Sequence, residues 1–179
     1  MNIDEAKKKL RTYFTEACKV LNIDYKSIDF EYEGIGKRFK TNDVTCETSN
    51  NKLFINLDWI KMLPENEDYD LQHQMYHEAR HFYQHNAIKD YNTREKTSEL
   101  RSTIKKWEAE SSNYIPNEGT EDERKAYAAQ DVEIDANAFA VAMLYKKGYD
   151  EAKIPEEQIE KTMNKAVEIC STLEKLGRW

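Results

Sequence analysis

The stretch Tyr76-His77-Glu78-Ala79-Arg80-His81 carries two histidines four residues apart, with a glutamate directly after the first. On a helix, positions four apart differ by only about 40° around the axis, so both imidazoles can close on one ion. Glu78 then stands beside that ion. It can take the proton of a water acidified by zinc and later deliver it to a leaving amine. The spacing is that of metal-assisted hydrolysis, most simply of a peptide bond.

A catalytic zinc takes three protein ligands and keeps one position open, so His77 and His81 need a partner from elsewhere. The alanine-rich stretch Val132-Glu133-Ile134-Asp135-Ala136-Asn137-Ala138-Phe139-Ala140 offers two carboxylates about 200° apart on a helix. Only one of them is expected to face the histidine helix. The stripe through Glu133 holds Ala126, Ala129, Ala136 and Ala140, small residues that let two helix axes approach closely. Glu133 is therefore the expected third ligand, with Asp135 the alternative. Asn137, one turn on, is placed to hold a ligand by a hydrogen bond. Tyr76, His85, Tyr114 and Tyr145 are unranked candidates for donating to a developing oxyanion. His73 and His85 share the histidine stripe and are read as exposed or supporting residues.

These groups need scaffolding, and the chain's patterning supplies it. Asp4 to Leu21 reads as an amphipathic helix with Asp4 as its N-cap. Ile28 to Tyr32 alternates apolar with polar, Val44 to Thr48 is extended, and Leu53 to Leu57 follows a turn at Ser49-Asn50-Asn51-Lys52. The segment from Asp68 to Lys89 is the histidine helix, with an apolar stripe of Leu71, Met75, Ala79 and Phe82. Thr93 to Glu110 is a charged helix, a lid or outer layer, whose one apolar seam is Leu100, Ile104 and Trp107. Ser111 to Gly119 reads as a loop, and Thr120 to Glu123 as a capping box opening one long helix to Gly148. A last helix from Pro155 turns Ile159, Met163, Ala166, Ile169 and Leu173 toward the body. The expected fold is α+β: mainly helical, with a small, largely antiparallel sheet of about three strands packed on the histidine helix. It forms a single domain over residues 1–179 with a charged helical insertion at about 93–119.

The 179 residues suffice to bury a core without disulfides or metal. A net charge of -7 offers no electrostatic footprint for nucleic acid or an anionic membrane, so neither is an expected partner. No apolar run is long enough to span a bilayer, and MNIDEAKKKL has no apolar signal-peptide core, so the cytoplasm is the expected location. Cys18, Cys46 and Cys170 have no disulfide or zinc-knuckle spacing and read as reduced thiols.

His77-Glu78-x-x-His81 followed by Glu133-x-x-Ala136-Asn137-x-Phe139-Ala140 resembles the minimal zincin metallopeptidases of the gluzincin type. The likeness is to the soluble ImmA/IrrE-like peptidases of bacteria and mobile elements, whose pattern also tends to carry a histidine where His85 stands. Arg80 occupies a position more often apolar or small in those proteins. The resemblance covers the two motif helices and the preceding strand. It implies one Zn2+ per chain held by His77, His81 and Glu133, with Glu78 as general base. It also implies a peptide or protein substrate, lying along Leu53 to Leu57 as an edge strand. The alternative reading is a zincin-fold regulatory or binding module whose metal site is structural and closed by a fourth ligand.

Overall fold

A computed structural model describes residues 2–65, 68–117, 120–150 and 152–179. The first helix, α1 (Ile3–Leu21), is capped not by Asp4 but by Asn2, whose side chain accepts from the Asp4 N–H at 2.9 Å. Its face of Ala6, Leu10, Phe14, Ala17, Cys18 and Leu21 is buried, and Asn22 ends it in the left-handed region at φ 59°.

Three strands follow: β1 (Asp29–Glu33), β2 (Cys46–Ser49) and β3 (Lys52–Asn56). Their order is β1-β3-β2; β2 and β3 form an antiparallel hairpin, while β1 runs parallel to β3. The sheet is therefore mixed rather than largely antiparallel. The chain leaving β1 crosses over through residues 34–45 before returning, which is the long connection a parallel pairing needs. A second correction follows from the same order. The segment expected as the edge, Leu53 to Leu57, is the central strand, and β2 is the edge strand on the functional side.

A short helix α2 (Leu57–Met62) leads to α3 (Tyr69–Asn92), which buries Leu71, Met75, Ala79 and Phe82. Phe14 of α1 packs edge-on against Phe30 of β1 at 5.3 Å and Phe82 of α3 at 5.6 Å, joining helix, sheet and helix in one core. The charged helix starts later than its pattern suggests. Arg94, at φ 62°, lies between α3 and α4 (Arg101–Ser112), which docks through Ile104 and Trp107 while Leu100 stays 72% exposed. The end of the expected Ser111 to Gly119 loop, residues 118–119, lies outside the described residues.

The expected long helix is two helices. After the capping box at Thr120, α5 (Glu121–Ala128) stops, Gln130 is extended, and α6 (Asp131–Lys146) starts afresh. Gln130 is buried and ties Ile115 N, Ile115 O and Tyr127 O by side-chain hydrogen bonds of 3.0–3.1 Å. The Glu110 carboxylate accepts from the backbone N–H groups of Asp131 and Val132, both at 2.9 Å, and so caps α6 from a distant helix. The last helix, α7 (Ile159–Lys175), follows a 3-10 turn over Glu156–Gln158. It faces the body with Gln158, Thr162, Ala166, Ile169 and Leu173, which leaves Ile159 and Met163 at the surface. The 3-10 turn offsets the start of the buried stripe by one residue from the apolar pattern. Among the described residues no helix is long and apolar enough to cross a membrane.

Asn56 ties the sheet to the loop that feeds its edge. It is fully buried, accepts from Asp58 N at 2.9 Å to cap α2, and donates to Thr41 O and Val44 O at 3.2 and 3.0 Å. Asn56→Ala removes a cap and two buried hydrogen bonds at once. A loss of about 2–3 kcal/mol is expected in chemical denaturation.

Candidate metal centre

Residues four apart on α3 present both imidazoles to one spot, and α6 brings a carboxylate to it. His77 Nε2 and His81 Nε2 are 2.9 Å apart, and Glu133 approaches them at 3.3 and 3.4 Å respectively. The three residues form a group whose ligand atoms lie within 4.8 Å of one another and can hold a metal ion. Glu133 is fully buried and His77 is 7% exposed. The small residues Ala136, Ala138 and Ala140 let α6 lie close against α3.

Each imidazole is oriented from behind. Asn137 Oδ1 lies 2.8 Å from His77 Nδ1, the hydrogen bond expected of it, and Gln84 Oε1 lies 2.8 Å from His81 Nδ1. Both oxygens accept, so each ring carries a proton on Nδ1, which leaves Nε2 as the nitrogen turned toward the shared point and able to bind a metal once it holds no proton. The amide orientation of Gln84 is itself determined, because its Nε2 donates to Val132 O at 3.0 Å and to Asp135 Oδ2 at 2.8 Å.

Asp135 thus corrects the expectation that only one carboxylate faces α3. Arg80 and Gln84 follow His77 and His81 by three positions, about 60° around the helix. α6 lies against the seam between the two flanks. Glu133 reaches the histidine flank, and Asp135 reaches the other, where Arg80 donates to it through Nε at 2.8 Å and Nη2 at 3.2 Å. The Arg80 guanidinium also contacts Glu99 at 3.4 Å and lies over the Tyr83 ring at 4.4 Å. A charged residue at that motif position is accommodated by this buried partner.

Glu78 is 4% exposed, beside the histidines, with Oε1 accepting from Gln74 Nε2 at 2.7 Å. Burial, reinforced by the Glu133 charge, holds its carboxyl above the usual carboxylate range, against the opposing pull of the two histidines. Burial acts the same way on Glu133, but there the His81 and His77 contacts prevail and hold it well below that range.

The centre opens into a cleft of about 680 Å³. One wall is β2 with the residues before it, 43–48. The others include Tyr114, Pro116 and Asn117, Arg124 and Tyr127 of α5, and Pro155 and Gln158. Of α4 only Ser111 lines the cleft, so α4 is an outer layer and not its lid. His73 and His85 both line the cleft, His73 half-buried and His85 at the exposed rim.

Of the oxyanion candidates, Tyr114 lies at the centre, its hydroxyl donating to Glu133 Oε1 at 2.9 Å. Tyr76 is turned away onto Glu16, and Tyr145 is 71% exposed outside the cleft. Tyr127, unnoticed in the sequence, donates to Glu133 Oε2 at 2.6 Å. On one unbroken helix it would stand about 120° away from Glu133, and only the break at Gln130 brings it over. Burial and then the Glu133 charge raise both phenols, which keeps them as protonated donors. No family model, curated protein or solved structure matches the chain.

Two outcomes follow. Gln84→Leu removes the acceptor that orients His81 and is expected to weaken metal binding about 10- to 100-fold in calorimetric titration while the protein stays folded. In the metal-free protein, burial disfavours the His81 cation, but Glu133 and then Glu78 outweigh it and raise the group from 6.5 to about 9. The folded value exceeds the unfolded one, so this pairing stabilises the metal-free fold fully below pH 6.5 and fades as pH rises through about 9. A proton and a metal compete for the same nitrogen. Metal affinity is therefore expected to climb with pH up to about 9, with proton release on binding detected by titrating in buffers of different ionisation enthalpy.

Proposed function

We propose that this chain is a metal-dependent hydrolase acting on peptide bonds, with zinc as the metal and His77, His81 and Glu133 as its ligands. The observation that carries the reading is the convergence of those three residues beside a buried Glu78, at the floor of a cleft walled by an edge strand. The donor set suits the ion: two neutral imidazole nitrogens and one carboxylate, with both Nδ1 positions engaged from behind.

When bound, zinc acidifies a coordinated water and polarises a carbonyl. Glu78 accepts the proton of the water that attacks the scissile carbonyl, and its raised affinity for that proton lets it return it to the leaving nitrogen. Tyr127 and Tyr114 give their hydroxyl protons to Glu133, and one of them donates to the oxygen that gains charge only by exchanging that bond for the new one. The outward edge of β2 offers backbone groups along which an extended peptide pairs. Three donor residues, and a cleft on their open side, favour this over a closed structural site, which takes four. The resemblance to zincin peptidases rests on the residues of the two motif helices.

Glu78→Gln is expected to bind zinc as the parent does and to lose about 10²- to 10⁴-fold in cleavage of an unstructured peptide mixture, followed by mass spectrometry. Equal cleavage rates at equal zinc content would remove Glu78 from the chemistry and the mechanism with it.

A further inference from the structure

Of the exposed large apolar side chains among the described residues, three fall on one face of α7. Ile159, Met163 and Val167 stand four residues apart, and Val167 is 67% exposed. Steps of four turn about 40° around a helix, so the three form one stripe, and Cys170, a half-buried free thiol, falls within it. The stripe lies beside the buried face of Thr162, Ala166, Ile169 and Leu173 that seats α7 on α6. None of its residues lines the cleft. A contiguous apolar surface of this kind marks a contact with another molecule.

The charges around the stripe indicate what covers it. The start of α7 and the turn before it expose Glu156, Glu157 and Glu160, while the far end carries Lys175 and Arg178. Lys161 lies on the α4 side of the helix, away from the stripe. Lys165 pairs with Glu168 at 3.1 Å, and among the described residues neither Glu160 nor Lys175 has an ion-pair partner within the chain. One flank of the stripe, within about 60° of arc, carries Glu160, Asn164, Ser171 and Lys175. Glu160 and Lys175 are equally far from a point between Val167 and Glu168, and so are Asn164 and Ser171.

We propose that α7 is the seam of a homodimer, its apolar stripe packed antiparallel on the same stripe of a second copy about a two-fold axis passing between Val167 and Glu168. Such an axis lays each flank of a helix on the same flank of its partner, running the other way. Glu160 then meets Lys175 of the partner subunit and Asn164 meets Ser171 of the partner subunit, each pair being made twice. Met163, Val167 and Cys170 close the apolar middle. Glu174, the acid at the basic end of the stripe, reaches the first turn of the partner's α7, where free amides favour a carboxylate. A parallel pair would instead set the two acidic ends side by side. The patch complements itself in both apolar and charged character, which is what a two-fold interface requires of a single surface.

The test is analytical ultracentrifugation of the full chain from about 1 to 200 μM, a range suited to a one-helix seam at the small end of protein interfaces. The parent is expected to pass from monomer to dimer with a dissociation constant on the order of 10 μM. Val167→Glu places two like charges at the axis and should weaken the dimer about 100-fold, while its circular dichroism and melting temperature stay those of a folded monomer. Glu160→Lys and Lys175→Glu should each weaken it about 5- to 10-fold, and the two together should restore it to within about twofold of the parent. That rescue is particular to the antiparallel pairing. A parent that stays monomeric throughout overturns the proposal and leaves the stripe to a different partner. A dimer indifferent to Val167→Glu places the interface elsewhere, and a double exchange that fails to restore affinity overturns the pairing of Glu160 with Lys175 and the register with it.

Discussion

The structure depends on the contact between α3 and α6, where a carboxylate is buried against two imidazoles. An isolated charge in that position would be far too costly to keep, and Glu133 is held there by His77, His81, Tyr114 and Tyr127 together. Everything around the contact serves to bring these groups together. The small residues of α6 allow the approach, Asn137 and Gln84 set the rings, and the core of Phe14, Phe30 and Phe82 gives α3 a rigid seat.

The break between α5 and α6 is the second requirement. It is imposed by tertiary caps: Glu110 satisfies the first amides of α6, and Gln130 binds the 113–117 loop. One local change of direction then brings Tyr127 onto Glu133, and the loop held by Gln130 brings Tyr114. The cleft walls and the polar shell of the centre are therefore consequences of the same few hydrogen bonds.

That division explains what could be read from the residues alone. His77, Glu78 and His81 were legible because their spacing is local and the helix period is rigid. Glu133 was legible through the small residues on its stripe, and Asn137 through its place one turn on. The dual role of α6 was not, because side chains as long as Arg80 and Gln84 reach around a helix that simple angular reasoning treats as a face. Tyr127 and the start of α6 were hidden for a different reason. The residues that end one helix and cap the next lie 15 to 22 positions away in sequence, where no periodicity links them. Strand order failed similarly, since the 34–45 crossover leaves no pattern that separates a parallel partner from an antiparallel one.

The Arg80–Asp135 pair has a consequence beyond orienting Gln84. It is a second, metal-independent clamp between the same two helices, buried and flanked by Tyr83 and Trp107. Helices joined only through an ion come apart when it leaves, so that folding and loading become a single event. Here α3 and α6 stay joined by charge and aromatic packing when the ion departs. A metal held by this group would add to the stability of the fold, but the packing of the two helices would not depend on it.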